Sequence, residues 1–104
     1  MARPEVLAGD ERAAVLAELV AAGWTHDPAT DRIAKTYRFG DFSAAWGWMS
    51  RVALVAETLD HHPDWSNSWN RVEVSMTTHD RKGLTGLDVK LARAMDRLAA
   101  DAAG

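Results

Sequence analysis

Residues 59–65 read Leu-Asp-His-His-Pro-Asp-Trp (LDHHPDW), and the chain is patterned differently on either side of them. Before them, from about Phe42 to about Leu59, apolar residues return every three or four positions. Phe42, Ala45, Trp46, Met49, Val52, Ala53 and Ala56 mark one face, the spacing of an amphipathic helix. Trp48, Val55 and Leu59 mark a second, partial stripe, which suits a helix packed both on its own sheet and on another subunit. After the stretch, from Trp69 to Thr77, the period is two. Val72, Val74 and Met76 point one way, and Arg71, Glu73, Ser75 and Thr77 the other, as in a half-buried strand. Pro63 marks the change, because the residue before a proline is pushed out of helical geometry. The stretch is a stiff corner between helix and sheet, with His61 and His62 in or just after the last turn.

The same two periods organise the rest. Val15, Leu16, Leu19 and Val20 form an apolar stripe on a first helix that begins near Asp10, an N-cap residue, and stops near Gly23. Trp24–His26 and Arg32–Phe39 read as a hairpin around the turn-forming DPATD, with Ile33, Tyr37 and Phe39 on one face. Asp41 is an N-cap for the long helix. Beyond Thr77, His79 stands just past the strand and DRKG makes a turn. Thr85 opens a third helix with Leu87, Leu91, Met95 and Leu98 on one stripe; Thr85 and Asp88 have capping-box spacing. Helix, two strands, helix, one or two strands, helix is the order of an α+β domain, an antiparallel sheet with helices on one face.

Composition narrows the chemistry. The 104 residues fit one domain, residues 1–104, and 47% hydrophobic with 26% charged residues is ordinary for a folded chain. A net charge of -3, spread along the chain, argues against a nucleic-acid partner, which needs a concentrated basic surface. The absence of cysteine removes disulfides, thiolate catalysis and cysteine-based metal sites. The longest apolar run, Val52–Ala56, is far short of a membrane span, and the N-terminal MARPEVLAGDE has no apolar signal region. A cytoplasmic location is the expectation.

His61, His62 and His79 all fall near element ends. Three readings are open at this level: solvated loop residues, a three-histidine zinc site, or proton transfer near neutral pH. Glu57 and Asp60 lie within a turn of the pair, where carboxylates raise a histidine's pKa or fix its tautomer. Asp60 also puts a negative charge at a helix C-terminus, a mild local cost that favours a functional reason for it. Trp65 and Trp69 suit either core packing or stacking on a flat ring.

The segment Ala56–Ala92, AETLDHHPDWSNSWNRVEVSMTTHDRKGLTGLDVKLA, closely resembles the signature of the pterin-4a-carbinolamine dehydratase family. The resemblance is carried by Glu57, Asp60-His61-His62-Pro63, Asp64-Trp65, Asn70, Val72, Thr78-His79, Gly83-Leu84-Thr85 and Asp88; GWTHD and YRFGDFSAAWGWMS extend it over nearly the whole chain. Trp69 stands where the family usually has tyrosine. The resemblance implies a four-stranded antiparallel sheet with three helices packed on one face, and association as a homodimer or homotetramer. It implies dehydration of 4a-hydroxytetrahydropterin to quinonoid dihydropterin, recycling the pterin in the pathway of an aromatic amino acid hydroxylase, with no metal and no further cofactor. Carried over by residue, His61, His62 and His79 are the catalytic set. His61 and His79 transfer protons and His62 binds and orients the pterin. Glu57, Asp60, Trp65, Thr77, Thr78 and Asp88 are the implied substrate-binding residues: Glu57 and Asp60 set tautomer or charge, Thr77 and Thr78 offer backbone groups, Trp65 is a wall, and Asp88 is an orienting partner or only the helix cap. Some members of the family also act as partners of transcription factors, so the alternative reading is an interaction module, with the Trp48 stripe as its surface.

Overall fold

Helix α1 (Gly9–Ala21), strands β1 (Thr25–Asp27) and β2 (Arg32–Arg38), helix α2 (Phe42–Leu59), strands β3 (Asp64–Ser68) and β4 (Arg71–Met76) and helix α3 (Gly86–Ala103) follow in that order, with one 3₁₀ turn at His79–Arg81. The structure is a computed structural model and describes residues 4–103. Residues 1–3, the start of the N-terminal stretch read above as lacking an export signal, lie outside the described residues, as does Gly104. The strands form a single antiparallel sheet in the order β1-β2-β4-β3. The extra strand, β3, is the first strand of a hairpin with β4, and Trp69 sits in its turn rather than on a strand. There Trp69 takes a left-handed φ of 51° and is exposed, so the core reading of its indole does not hold.

The alternation expected for β2 and β4 sets the two faces of the sheet. Ile33, Tyr37, Val72, Val74 and Met76 are buried and pack with Leu19 of α1, Ala45, Trp48, Val52 and Ala56 of α2, and Leu91, Ala92 and Met95 of α3. Thr36, Arg38, Ser66 and Glu73 alternate with them and are exposed on the open face. On the helix side, the indole of Trp24, the phenol of Tyr37 and the ammonium of Lys35 all donate to Asp96 of α3. Burial, then the neighbouring Asp96, pushes the Tyr37 hydroxyl far above its ordinary pKa, so it serves as a fixed donor.

Helix α2 is rotated from the orientation its spacing favours, burying Ala45, Val52 and Ala56 of that stripe but not Phe42, Trp46 and Ala53. Ala45, Trp48, Val52 and Ala56 face the core, while Phe42, Trp46 and Ala53 are exposed. The helix is apolar nearly all round, so two stripes satisfy the same period. Trp48 decides between them. Its ring lies 4.5 Å from Tyr37 and 5.2 Å from Phe39, and its indole N–H reaches the Met95 carbonyl at 3.0 Å. A buried indole needs such an acceptor. The outer surface of α2 therefore belongs to Phe42, Trp46 and Leu54, not to Trp48.

The helix ends also carry detail. Gly23, at φ 103°, lets α1 finish with paired backbone bonds from Gly23 N to Val20 O and from Trp24 N to Leu19 O, the Schellman pattern. Asp10 lies in the first turn of α1, not at its cap, which is Ala8. Asp41 does cap α2, accepting from Ala44 N at 2.8 Å.

Candidate active site

The stop of α2 is made three residues before the proline. Asp60 adopts a left-handed conformation (φ 50°, ψ 43°), and the backbone closes with Asp60 N to Glu57 O and His61 N to Ala56 O. This is again the Schellman pattern, with aspartate where glycine is usual. It fixes the path of the chain at His61, and Pro63 then leads into β3.

From that corner His61 turns inward. It is buried, and its Nε2 lies 2.6 Å from Asp88 Oδ1. Asp88 is fully buried in the first turn of α3 and does two things at once. Its Oδ2 accepts from Thr85 N–H at 2.9 Å, completing the capping box, while the Thr85 hydroxyl accepts from Leu87 N–H at 3.2 Å. The Thr78 hydroxyl also donates to Oδ2 at 2.8 Å, and lies 2.8 Å from the Thr85 hydroxyl. Two hydrogens already point at Oδ2, so Oδ1 is the acceptor left for the His61 Nε2 hydrogen. That arrangement selects the Nε2–H tautomer and leaves Nδ1 for chemistry.

His62 points outward and is exposed, with Nε2 2.9 Å from Glu57 Oε1 one turn back on α2. His79 begins the 3₁₀ turn and is exposed, with Nε2 3.3 Å from Asp64 Oδ2. Its turn is pinched off by the backbone bonds between Thr78 and Gly83, so the end of β4 returns beside the α2–β3 corner. Asp60, His61, His62, Pro63, Asp64, Thr78, His79 and Asp80 line one open pocket of about 270 Å³.

The structure thus brings His61, His62, His79, Asp60 and Thr78 to one cavity, with Glu57 behind His62 and Asp88 behind His61. It does not bring Trp65 and Thr77 there. Trp65 packs on the helix side against Trp48, with ring centroids 6.1 Å apart. The Thr77 hydroxyl donates to the Asp31 carbonyl at 2.9 Å. In exchange the cavity gains Asp64 and Asp80, which sequence reasoning gave no role. Asp64 was visible only as a letter of the HHP-acidic-Trp motif. A larger cavity, about 490 Å³, is a shallow hollow on the open sheet face lined by Ala34, Thr36, Ser66 and Glu73 among others, and is less rich in titratable groups. Among the described residues, no three His, Asp or Glu side chains are placed to share a metal ion, and no helix is long and apolar enough to cross a membrane.

Comparison with known proteins identifies the family. The profile of the family described as Pterin 4 alpha carbinolamine dehydratase matches residues 5–98. A protein of Jannaschia sp. (strain CCS1), provisionally named a pterin-4-alpha-carbinolamine dehydratase, is 52% identical over 88 residues, which is 85% of this chain and 90% of its own. One of Bradyrhizobium sp. (strain ORS 278) with the same provisional name is 47% identical over 100 residues, covering 96% of this chain and 98% of its own. A crystal structure from Brucella melitensis, described as a transcriptional coactivator/pterin dehydratase, superposes with a TM-score of 0.83 at 42% identity, over 91% of this chain and 99% of that one. The chain belongs to the pterin 4 alpha carbinolamine dehydratase family.

Proposed function

We propose that the protein dehydrates a 4a-hydroxytetrahydropterin to the quinonoid dihydropterin, with His61 and His79 moving the protons. The reaction breaks the bond from C4a to its hydroxyl and forms a double bond between C4a and N5. The hydroxyl takes up a proton and leaves as water, and the N5 hydrogen leaves as a proton. Acid and base are needed at one carbon-nitrogen bond near neutral pH, and two imidazoles meet that need. Positioned acid–base groups contribute typically about 10²- to 10⁴-fold each.

The observation that carries the reading is the pocket holding three histidines, each with a carboxylate at Nε2: Asp88 for His61, Glu57 for His62 and Asp64 for His79. Carboxylates so placed favour the Nε2–H tautomer and leave three Nδ1 atoms for the pterin. His61, buried and fixed on two sides, suits one transfer and His79 the other; exposed His62 suits orienting the ring edge. Asp60 adds charge at the pocket rim and Thr78 holds Asp88. Trp65 and Thr77 stand outside the pocket, one against Trp48 and the other bonded to Asp31. Cofactor recycling beside an aromatic amino acid hydroxylase is the pathway this chemistry serves, and a cytoplasmic location goes with it.

The test is the dehydration rate of freshly generated 4a-hydroxytetrahydropterin, corrected for its spontaneous decay, for the wild type and for His61→Ala and His79→Ala. Acceleration that falls by about 10²-fold or more in each variant supports the assignment. Variants that keep the wild-type rate end it.

A second reading has its own support. Phe42, Trp46 and Leu54 stand exposed on one outer surface of α2, and the Brucella melitensis structure carries the word coactivator in its description. Exposed apolar residues grouped this way mark an interaction surface. We assign it first to a second copy of the chain, in a homodimer or homotetramer. Light scattering on the purified protein decides: a dimer or tetramer that dissociates on Trp46→Glu supports self-association, and a wild-type monomer turns the surface over to a different protein.

A further inference from the structure

We propose that Asp64, clamped by Arg32 from the open face of the sheet, is a positioning residue that fixes the orientation and tautomer of His79. The proposal rests on the dehydratase reading and adds to it two residues on different strands.

The three histidines are not held alike. His61 is locked by burial and by Asp88. His62 is held from helix α2 by Glu57. His79 sits on a single 3₁₀ turn that ends in a left-handed Lys82, and 68% of its side chain is exposed. A ring so exposed turns freely unless something fixes it, and productive proton transfer requires it within hydrogen-bond reach of the reacting atom. Asp64 Oδ2, 3.3 Å from Nε2, is the contact that does so.

Asp64 is itself fixed more firmly than an ordinary surface carboxylate. It is the first residue of β3, opposite Ser75 of β4, and its side chain lies on the open face of the sheet. Arg32, at the start of β2, reaches across β4 to meet it. The guanidinium is anchored by Nε to Ser75 Oγ at 2.8 Å and delivers Nη2 to Asp64 Oδ2 at 2.5 Å. Three strands thus contribute one residue each to a chain that ends at the His79 ring.

The chemistry follows from the order of charges. Arg32 holds the Asp64 carboxyl below its ordinary range, with the hydrogen bond as the largest cause and His79 a smaller one. Asp64 therefore stays an acceptor at working pH and never offers a hydrogen to the imidazole. In the neutral ring the hydrogen is then held on Nε2, facing Asp64, and Nδ1 is left for the substrate. The sheet sets which nitrogen of His79 faces the substrate.

The experiment pairs a tautomer measurement made without substrate with steady-state kinetics. In the wild type, ¹⁵N NMR of the His79 ring, assigned by its loss in His79→Ala, is expected to show one tautomer with hydrogen on Nε2. Asp64→Asn is expected to mix the tautomers and to lower kcat by roughly 10- to 10²-fold, the scale of a misplaced catalytic group, with KM little changed. Asp64→Glu, which keeps the carboxylate, restores part of the rate. Arg32→Gln loosens the clamp but leaves the carboxylate, and shows a smaller fall in kcat. An Asp64→Asn protein with the wild-type tautomer, or with wild-type kcat, overturns the proposal. If the wild type fails to accelerate the reaction, the dehydratase reading fails, and the ¹⁵N spectra still decide whether Asp64 sets the His79 tautomer.

Discussion

Asp60 carries two burdens at one position. Its backbone holds the left-handed turn that ends α2, and its side chain lines the pocket. Aspartate tolerates that conformation better than most residues, but glycine adopts it at no steric cost. The two roles separate by substitution. Asp60→Gly is expected to match or exceed the wild type in urea unfolding while its dehydration rate falls, because the backbone relaxes and the carboxylate is lost. Asp60→Ala loses the same carboxylate and is also less stable than Asp60→Gly, by about 1 kcal/mol. Equal stability of the two variants would show that the turn is not strained. Asp88 is the buried counterpart. With Thr85 N–H and the Thr78 hydroxyl aimed at Oδ2, an asparagine there keeps its oxygen on that side and turns its NH₂ toward His61. The ring must then accept at Nε2 and carry its hydrogen on Nδ1, the wrong nitrogen for the pocket. Asp88→Asn is expected to cost about 1–3 kcal/mol in denaturant unfolding, as buried polar partners are mismatched, and to lose most of the catalysed rate. A variant of wild-type stability and rate would remove Asp88 from the His61 side of the site. Its capping spacing to Thr85 was legible in the sequence, and so was a choice between cap and orienting partner. That one carboxylate has a separate oxygen for each was not legible, because the His61 bond spans 27 residues.

At the scale of elements, the same limit appears in α2. Its period and its ends were readable, but not its rotation, because Trp46 and Trp48 both lie on plausible stripes. The indole partner on α3 and the ring cluster of Tyr37, Phe39 and Trp65 settle the matter, and none of them is local. The turn between β4 and α3 was likewise readable as DRKG, but not the crowding behind it. A Cβ built on Gly83 lies 2.9 Å from Asp31 Oδ2 and 3.1 Å from Val6 Cγ1. The carboxylate cannot swing aside cheaply, because it also accepts from Leu84 N–H at 3.0 Å and from Arg12 at 3.2 Å. Gly83→Ala is therefore expected to cost about 1–3 kcal/mol, the usual range for overpacking, measured by thermal or urea unfolding. Because the 79–82 turn closes on Gly83, the dehydration rate should fall as well. An alanine variant with wild-type unfolding would mean that the turn shifts freely and that His79 is not held from this side.

For the molecule as a whole, Asp31 joins parts far apart in the chain. It sits at the end of the β1–β2 turn with a left-handed φ of 51°. Its carboxylate takes Arg12 of α1 at 2.6 Å, His26 of β1 at 2.8 Å and the Leu84 backbone N–H at 3.0 Å, while its carbonyl accepts from Thr77 at 2.9 Å. Helix α1, the sheet and the entry to α3 meet at one anion. DPATD announces a turn, but partners up to 53 residues away leave no trace in it, and neither does the pairing of the otherwise unassigned His26. Three donors hold the Asp31 carboxyl well below its ordinary pKa, the Arg12 hydrogen bond foremost. The folded state therefore binds this proton less readily than the unfolded chain, whose aspartates titrate near about 4. Above that pH the stabilisation is complete. It is lost as the pH falls from about 4 toward the folded value, where the unfolded state takes up the proton first. Urea unfolding of the wild type and Asp31→Asn at successive pH values from neutral to acid tests this. The stability gap between them should be constant above about pH 5 and shrink steadily below about pH 4. The wild type should lose stability faster than the variant across that acid range, because it alone carries the lowered Asp31 carboxyl; Asp64 and Glu18, lowered chiefly by Arg32 and Arg93, are present in both proteins and cancel in the difference. A gap that stays constant into acid would show that Asp31 is held by its geometry as a neutral group and not by its charge.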